Sequence, residues 1–315
     1  VKKAQVGFRF LENPVSAAAI GRGGLGMTMS RNSNAVFWNP SGLGWMNGKF
    51  QFFSNTTLGI ADINYHGLVA AVKVPAIGMI ALDFINVDYG TLRGTRRALN
   101  DAGYIETGGF SPSAWSTGLT ISRKVSARFS WGVRLKYVYQ DLGDAYISES
   151  GTSLDDTSLV IITKKYDQSL PAIDIGTTYD FNVYGLRFAA VMQNFSREIH
   201  FEEQDFPLPF NIGFSLSFRP LELLTVLGSE HNLVVGAETI HPRDYREKYK
   251  LGAEYSYHKS FIIRTGYAGN YDEQSLSFGL GFRYRYSQVR TQIDYAFSLY
   301  GIFGLTHSFS FGITL

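Results

Sequence analysis

The stretch Leu276-Ser277-Phe278-Gly279-Leu280-Gly281-Phe282-Arg283-Tyr284-Arg285-Tyr286 places a large apolar side chain at every second position, with a small or charged one between. Period two is the repeat of an extended strand, whose successive side chains point to opposite faces. From about residue 48 onward the alternation recurs in segments of roughly ten residues separated by turns, the length of a tilted bilayer-crossing strand. Phe129, Trp131, Val133, Leu135, Tyr137 and Tyr139 alternate with Arg128, Ser130, Gly132, Arg134, Lys136 and Val138, and residues 210–218 and 305–315 read the same way.

About fourteen such segments begin near Lys49, Asp62, Ile77, Ser113, Ala127, Ala172, Tyr184, Leu208, Asn232, Glu247, Phe261, Gln274, Gln288 and Leu305. An even number suits a bacterial single-chain barrel. One face carries aromatics in strand after strand. The other is rich in Gly, Ser and Thr, with isolated charges at Asp83, Arg134, Asp174, Arg187, Glu254, Arg264 and Asp294. Packing so many rings into a soluble sandwich is harder than presenting them to lipid. The expected fold is all-β, a transmembrane antiparallel β-barrel of about 14 strands over residues 48–315. Outward Tyr137, Tyr139, Tyr179, Tyr257, Tyr284, Tyr286 and Phe218 suit the interfacial girdles.

Composition agrees. Charged residues are 18%, under the roughly 25% of a soluble domain. There are 24 Phe, 19 Tyr and 33 Gly, and mean hydropathy is −0.05. No apolar run approaches the roughly 20 residues of a spanning helix. With no cysteine, disulfides and thiolate metal sites are excluded, and a net charge of +2 gives no ground for a nucleic-acid partner. The expected location is the bacterial outer membrane, in contact with its lipid, any export signal having been removed ahead of Val1.

Connection lengths alternate too. Those near Pro75, Ser126, Asn182, His258 and Ser287 are tight, whereas 88–112, 141–171 and 196–207 are long. Bacterial barrels have short periplasmic turns and longer external loops, so both termini are expected on the periplasmic side. Residues 220–230 make a longer turn there, whose Leu221, Leu223, Leu224 and Leu227 suit a short helix.

Residues 1–47 lack the alternation. Gly21, Gly23, Gly24 and Gly26 follow three alanines, and Phe37, Trp38 and Trp45 surround Asn39-Pro40-Ser41-Gly42-Leu43. A fourteen-strand barrel is too wide to be filled by its own side chains. This segment is therefore expected to fold into it as a plug, or hatch, its small residues admitting close backbone approach to the wall.

Residues 17–26, then Ser33, Ala35 and Phe37-Trp38-Asn39-Pro40-Ser41-Gly42-Leu43, resemble the N-terminal region of the PorV/PorQ family of FadL-like outer-membrane barrels. There a GxGGA…A…WNPAGL stretch is typical, with Ala where this chain has Ser41. The motif positions are Gly23, Gly24, Gly26, Trp38, Asn39, Pro40, Gly42 and Leu43. The resemblance implies fourteen strands, an N-terminal plug and one of two jobs. PorV-like members serve type IX secretion through protein partners; FadL-like members pass hydrophobic molecules.

By strand phase, Arg128, Arg219, Arg283, Arg285 and Arg290 face the lumen near the periplasmic end. They either pair with Asp180, Glu12 or plug carbonyls, the preferred reading, or form an electropositive mouth for anionic ligands. In the external loops, Arg93, Arg96 and Arg97 are basic and Asp141, Asp144, Asp155 and Asp156 acidic; they suit a cap or a partner site. Glu202, Glu203 and Asp205 read as a solvated acidic loop rather than a calcium site. The six His lack ligand spacing, His307 suits a rim position, and no GxSxG nucleophile is present. No enzyme activity, metal or cofactor is expected.

The lumenal face shows no run of inward Leu, Ile or Phe. The expected function is accordingly of PorV type, a non-enzymatic component of protein export or surface assembly whose partner is a translocon or surface-anchored protein. The alternative is a FadL-like transporter, which needs a hydrophobic ligand, a continuous apolar cavity in the barrel and a lateral gap.

Overall fold

The structure, a computed structural model, describes residues 6–13, 15–97, 100–148, 161–201, 204–223, 228 and 230–315. Its strands run β1 (Phe50–Leu58), β2 (Asn64–Val74), β3 (Gly78–Asp88), β4 (Leu92–Arg97), β5 (Tyr104–Phe110), β6 (Ser113–Lys124), β7 (Phe129–Ser148), β8 (Ile161–Asp180) and β9 (Arg187–Phe195). There follow β10 (Ile199–Phe201), β11 (Gln204–Phe206), β12 (Asn211–Phe218), β13 (His231–Pro242), β14 (Lys248–Tyr257), β15 (Phe261–Gly269), β16 (Leu276–Tyr286), β17 (Val289–Leu299) and β18 (Leu305–Thr314). The pairs β4–β5 and β10–β11 are separate ribbons in the long connections. The other fourteen strands close into one antiparallel barrel, β18 pairing with β1.

The barrel is inside-out relative to a soluble fold. Along β12, Asn211, Gly213, Ser215 and Ser217 are buried while Ile212, Phe214, Leu216 and Phe218 are exposed. An apolar exterior over a polar interior is what a bilayer selects. Connections at one end are short, such as 258–260, where His258 (φ 49°) and Lys259 (φ 59°) take the left-handed conformation of a tight hairpin. The other end carries the long connections.

Strands begin within three residues of their expected positions except β8, which starts at Ile161 rather than near Ala172. Likewise β7 extends past Asp141 to Ser148. The stretch read as one long loop is mostly a two-stranded ribbon projecting beyond the membrane. Past the lipid neither face has to be apolar, so Asp141, Asp144, Lys164, Lys165 and Asp167 erase the period-two signal while backbone pairing continues. The residues expected to form a helix give a 3-10 turn at Pro220–Leu223; Leu224 and Leu227 lie outside the described residues.

The N-terminal segment lies within the ring. Its short helix α1 (Ala17–Ile20) packs on β16, β17 and β18, the 3-10 turn Ser33–Phe37 on β1 to β3, and the 3-10 turn Pro40–Trp45 on β6 to β8. The expectation that both ends of the chain share one side falls, at the N-terminus, on residues 1–5, which lie outside the described residues; the first described residues and Leu315 lie at opposite ends of the barrel. The Gly7 amide donates to the Pro207 carbonyl (3.2 Å) and Arg9 pairs with Asp244 (3.5 Å), both at the long-loop end. Leu315 lies at the opposite, short-turn end, where its carbonyl accepts from the Lys49 amide (2.7 Å). An even strand number fixes where β1 starts and β18 stops; it does not constrain a segment long enough to traverse the lumen before β1.

Candidate functional site in the lumen

The motif residues are joints between segment and wall. Asn39 caps the 3-10 turn, its Oδ1 accepting from the Ser41 amide (3.1 Å) and hydroxyl (2.8 Å), and Pro40 occupies the first position, where no amide donor is needed. The Asn39 Nδ2 donates to the Met27 and Thr177 carbonyls and to the Thr178 hydroxyl, tying the turn to β8. Wall glycines Gly132 and Gly176 leave room for Pro40 and Asn39. Gly23 (φ 72°) and Gly24 (φ 79°) adopt a backbone only glycine takes freely. Gly26 lies under the Trp38 indole, Gly42 against the Ser30 carbonyl, and Leu43 is fully buried.

Charges read from sequence as isolated are clustered. Arg264 on β15 donates to Glu254 (Nε–Oε2, 2.8 Å) and Asp294 (Nη1–Oδ1, 2.7 Å), and Arg22 of the segment reaches the same Glu254 (2.8 Å). On the opposite wall Arg134 donates through Nε to Asp83 (3.0 Å) and through Nη1 to Asp174 (3.2 Å), which also accepts from Lys136 Nζ (2.7 Å). A third set joins Lys250 Nζ to the Gly24 carbonyl (3.0 Å) and Glu238 (3.4 Å), while Glu238 accepts from the Gly26 and Met27 amides. All are buried, and each ion has a partner of opposite charge, without which its burial would be costly. Two of the three sets clamp the N-terminal segment.

Toward the long-loop end the lumen turns apolar. Phe8 and Phe10 lie buried among inward-facing Val87, Ala114, Val138, Leu170 and Ala172, with Leu208 beside them. The sequence reading found no run of inward Leu, Ile or Phe, and this cluster is not built from one: four separate strands supply one or two residues each. Beside this cluster Leu11, Glu12, Val15, Trp38, Arg134, Lys136, Lys248 and Lys250 border a chamber of only about 70 Å³. That is room for about two waters, far below the roughly 300 Å³ at which ligand pockets begin. Glu12 reaches across it to Lys248 (3.4 Å).

No protein-family model and no curated protein matches the sequence. Solved structures do match along nearly the whole chain. The toluene transporter TbuX of Ralstonia pickettii is 13% identical, with TM-score 0.61, covering 95% of this chain and 96% of its own. The toluene transporter TodX of Pseudomonas putida is 10% identical, with TM-score 0.58 over 99% and 98%. A Pseudomonas aeruginosa FadL homologue is 13% identical, with TM-score 0.55 over 96% and 98%. The chain has the FadL-type barrel fold.

In this FadL-type barrel the wall is least regular between β8 and β9. Their register shifts between Ile173 and Ile175, where Asn194 has φ 59°. Outside lies a groove of about 790 Å³ bordered by Leu119, Leu135, Tyr137, Pro171, Ile173 and Phe195. Lys136 and Ala172 reach both this groove and the interior, Lys136 through the chamber and Ala172 through the Phe8–Phe10 cluster.

The remaining expected residues fall as follows. Arg219 pairs with Glu222 (2.8 Å), Arg283 donates to Gln292 (2.9 Å) and lies 3.6 Å from Glu254, and Arg290 donates to the Asn47 carbonyl (2.9 Å). The Arg285 Nε donates to the Ser287 carbonyl (3.3 Å), and Arg128 is exposed. Asp180 pairs with Arg187 rather than with any of these five (2.9 Å). Nearby, Trp45 is sandwiched between Arg31 (4.6 Å) and Lys124 (4.0 Å). Burial first, and Arg187 second, pull the Arg31 guanidinium down to about 10 against the opposing pull of Asp180. Arg93 lies 4.0 Å from Glu106 in the β4–β5 ribbon, whose strand also holds Arg96 and Arg97. Asp155, Asp156, Glu202 and Glu203 lie outside the described residues. Among the described residues no group of His, Asp or Glu is arranged to hold a metal. His307 stacks on Tyr295, with Nδ1 2.8 Å from its hydroxyl.

Proposed function

We propose that the chain is a bacterial outer-membrane channel for small hydrophobic molecules, with residues 6–47 as its plug and the Phe8–Phe10 cluster as its ligand site. The carrying observation is that cluster: two aromatic rings of the chain's own N-terminal segment sit in an inward apolar pocket of the FadL-type fold, where a hydrophobic guest would otherwise be placed. Toluene transporters of the same fold support this reading over the export role. With the chamber so small, passage requires the segment to shift. The β8–β9 break gives a guest in the pocket a short lateral route to lipid.

Two measurements test the reading. Phe8→Ala/Phe10→Ala should raise binding of a fluorescent hydrophobe such as N-phenylnaphthylamine several-fold, and Ala114→Trp should abolish it. Binding by none of the three proteins would sink the ligand site. A disulfide between Ile173→Cys and Phe195→Cys, which are paired across β8 and β9, should slow toluene entry into proteoliposomes, with dithiothreitol restoring it; unchanged entry would remove the lateral route.

The PorV-type reading draws its support from the buried ion pairs of the lumen, one of which, Arg22–Glu254, ties the segment to the wall, an arrangement that suits a barrel that conducts nothing. Co-purification with a translocon, without hydrophobe binding, would favour it.

A further inference from the structure

Charge is distributed unequally between the two ends of the barrel. The turns and outermost wall positions of the short-turn end, not counting Arg31 and Arg283 deeper in the lumen, carry Lys49, Lys73, Arg123, Lys124, Arg128, Arg187, Arg219, Lys259, Arg285 and Arg290 against Asp180, Glu222 and Glu230. Ten cations less three carboxylates give those positions +7; the whole chain carries +2, so the remainder carries −5. The residues of 224–227 and 229 are uncharged, so they leave this count unaltered.

Position on the strands decides what the cations face. Lys49, Lys73, Lys124, Arg128, Arg219, Arg285 and Arg290 continue the inward rows of β1, β2, β6, β7, β12, β16 and β17, and so encircle the mouth. Outward positions at this level belong instead to Trp131, Phe218, Tyr257, Phe261, Tyr284 and Tyr286, all exposed. A lipid headgroup therefore meets mainly rings, whereas a body approaching along the barrel axis meets cations. Fourteen tilted strands about 4.8 Å apart make a mouth roughly 25–30 Å wide. A small anion could touch only two or three of these side chains at once. The face of a folded protein could span them.

We propose that the short-turn mouth is a docking surface for an acidic protein. Its charge would steer such a partner within a Debye length of about 10 Å and hold it over the end of the lumen. This inference stands whether the barrel passes hydrophobic molecules or not, since it uses neither the Phe8–Phe10 cluster nor the β8–β9 break.

The test uses the full chain in phosphatidylcholine nanodiscs, with poly-L-glutamate as the acidic polypeptide probe. One variant, Lys49→Gln/Lys73→Gln/Arg128→Gln/Arg285→Gln, neutralises exposed cations of the mouth. A control, Arg93→Gln/Arg197→Gln/Arg243→Gln/Arg246→Gln, neutralises four at the long-loop end. Heat-modifiable migration reports that each has folded. At about 0.1 M salt the mouth variant should bind roughly tenfold more weakly than wild type and the control as well as wild type. Equal loss in both variants, or none in the mouth variant, would overturn the proposal. So would full displacement by inorganic phosphate at matched ionic strength, which marks a small-anion site. Preferential capture of phosphatidylglycerol nanodiscs over poly-L-glutamate would assign the surface to lipid and overturn it likewise.

Discussion

Gly266 and Gly252 sit side by side on neighbouring strands, and the backbone of Arg22 and Gly23 occupies the space their Cβ atoms would need. Gly266→Val should force the segment off the wall and break the Arg22–Glu254 contact, lowering the temperature at which the folded gel band converts. Arg264 is the more sensitive position. Arg264→Met would leave Asp294 buried without its cation, held only by the Gln292 amide (2.6 Å), and Glu254 with Arg22 and Arg283 alone, at a cost of about 3–5 kcal/mol in urea unfolding. Conversion of Arg22, Glu254, Arg264 and Asp294 together to apolar residues should recover much of that, because no member is then left as an unpaired buried charge. The alternation of β15 marked Arg264 as inward, and this was legible in the sequence. Its partners were not: Glu254 and Asp294 lie 10 and 30 residues away, and Arg22 meets Glu254 across 232. Only the sheet register, which side-chain period does not specify between distant strands, brings them together.

Among the elements, the 3-10 turn Pro40–Trp45 depends most on a single side chain. Asn39→Ala removes a cap worth about 1 kcal/mol and three further bonds to the segment and β8. The expected outcome is faster proteolysis within residues 33–47, with the β-sheet circular-dichroism signal unchanged; a loss of sheet would show that the turn holds the wall as well. Sequence resemblance picked out this turn, and the geometry supplies its reason. The apolar pocket was missed because Val87, Ala114, Val138, Leu170 and Ala172 come from four strands, each contributing only one or two inward apolar residues near its long-loop end. The first half of β8 was missed because its residues lie outside the lipid that imposes alternation elsewhere.

For the molecule as a whole, depth in the bilayer governs the effect of an exterior substitution. Leu280 and Tyr286 face outward on the same strand, one central and one at its end. Leu280→Arg should cost about 2–4 kcal/mol in unfolding from lipid, and Tyr286→Arg at most about 1 kcal/mol. Equal costs would mean that the apolar belt is not centred where the strands place it. Strand number and outward face were both readable in advance, because lipid repeats the same demand on every strand.

The path of the N-terminal segment restricts how the protein can be made. Residues 7–13 touch the long-loop end, the chain passes through the ring, and β1 begins at the other end. A thread of this kind cannot be drawn through a hoop once the hoop has shut, because its ion pairs from Glu12 and Arg22 to the wall, and Trp45, obstruct the bore. The seam that unites Gln51 with Thr314 spans almost the whole chain, and contacts so distant in sequence form late. Closure must therefore take place around the segment, which serves as the mandrel on which the wall is wound. Deleting it should slow assembly of the hoop more than it alters the finished order of staves.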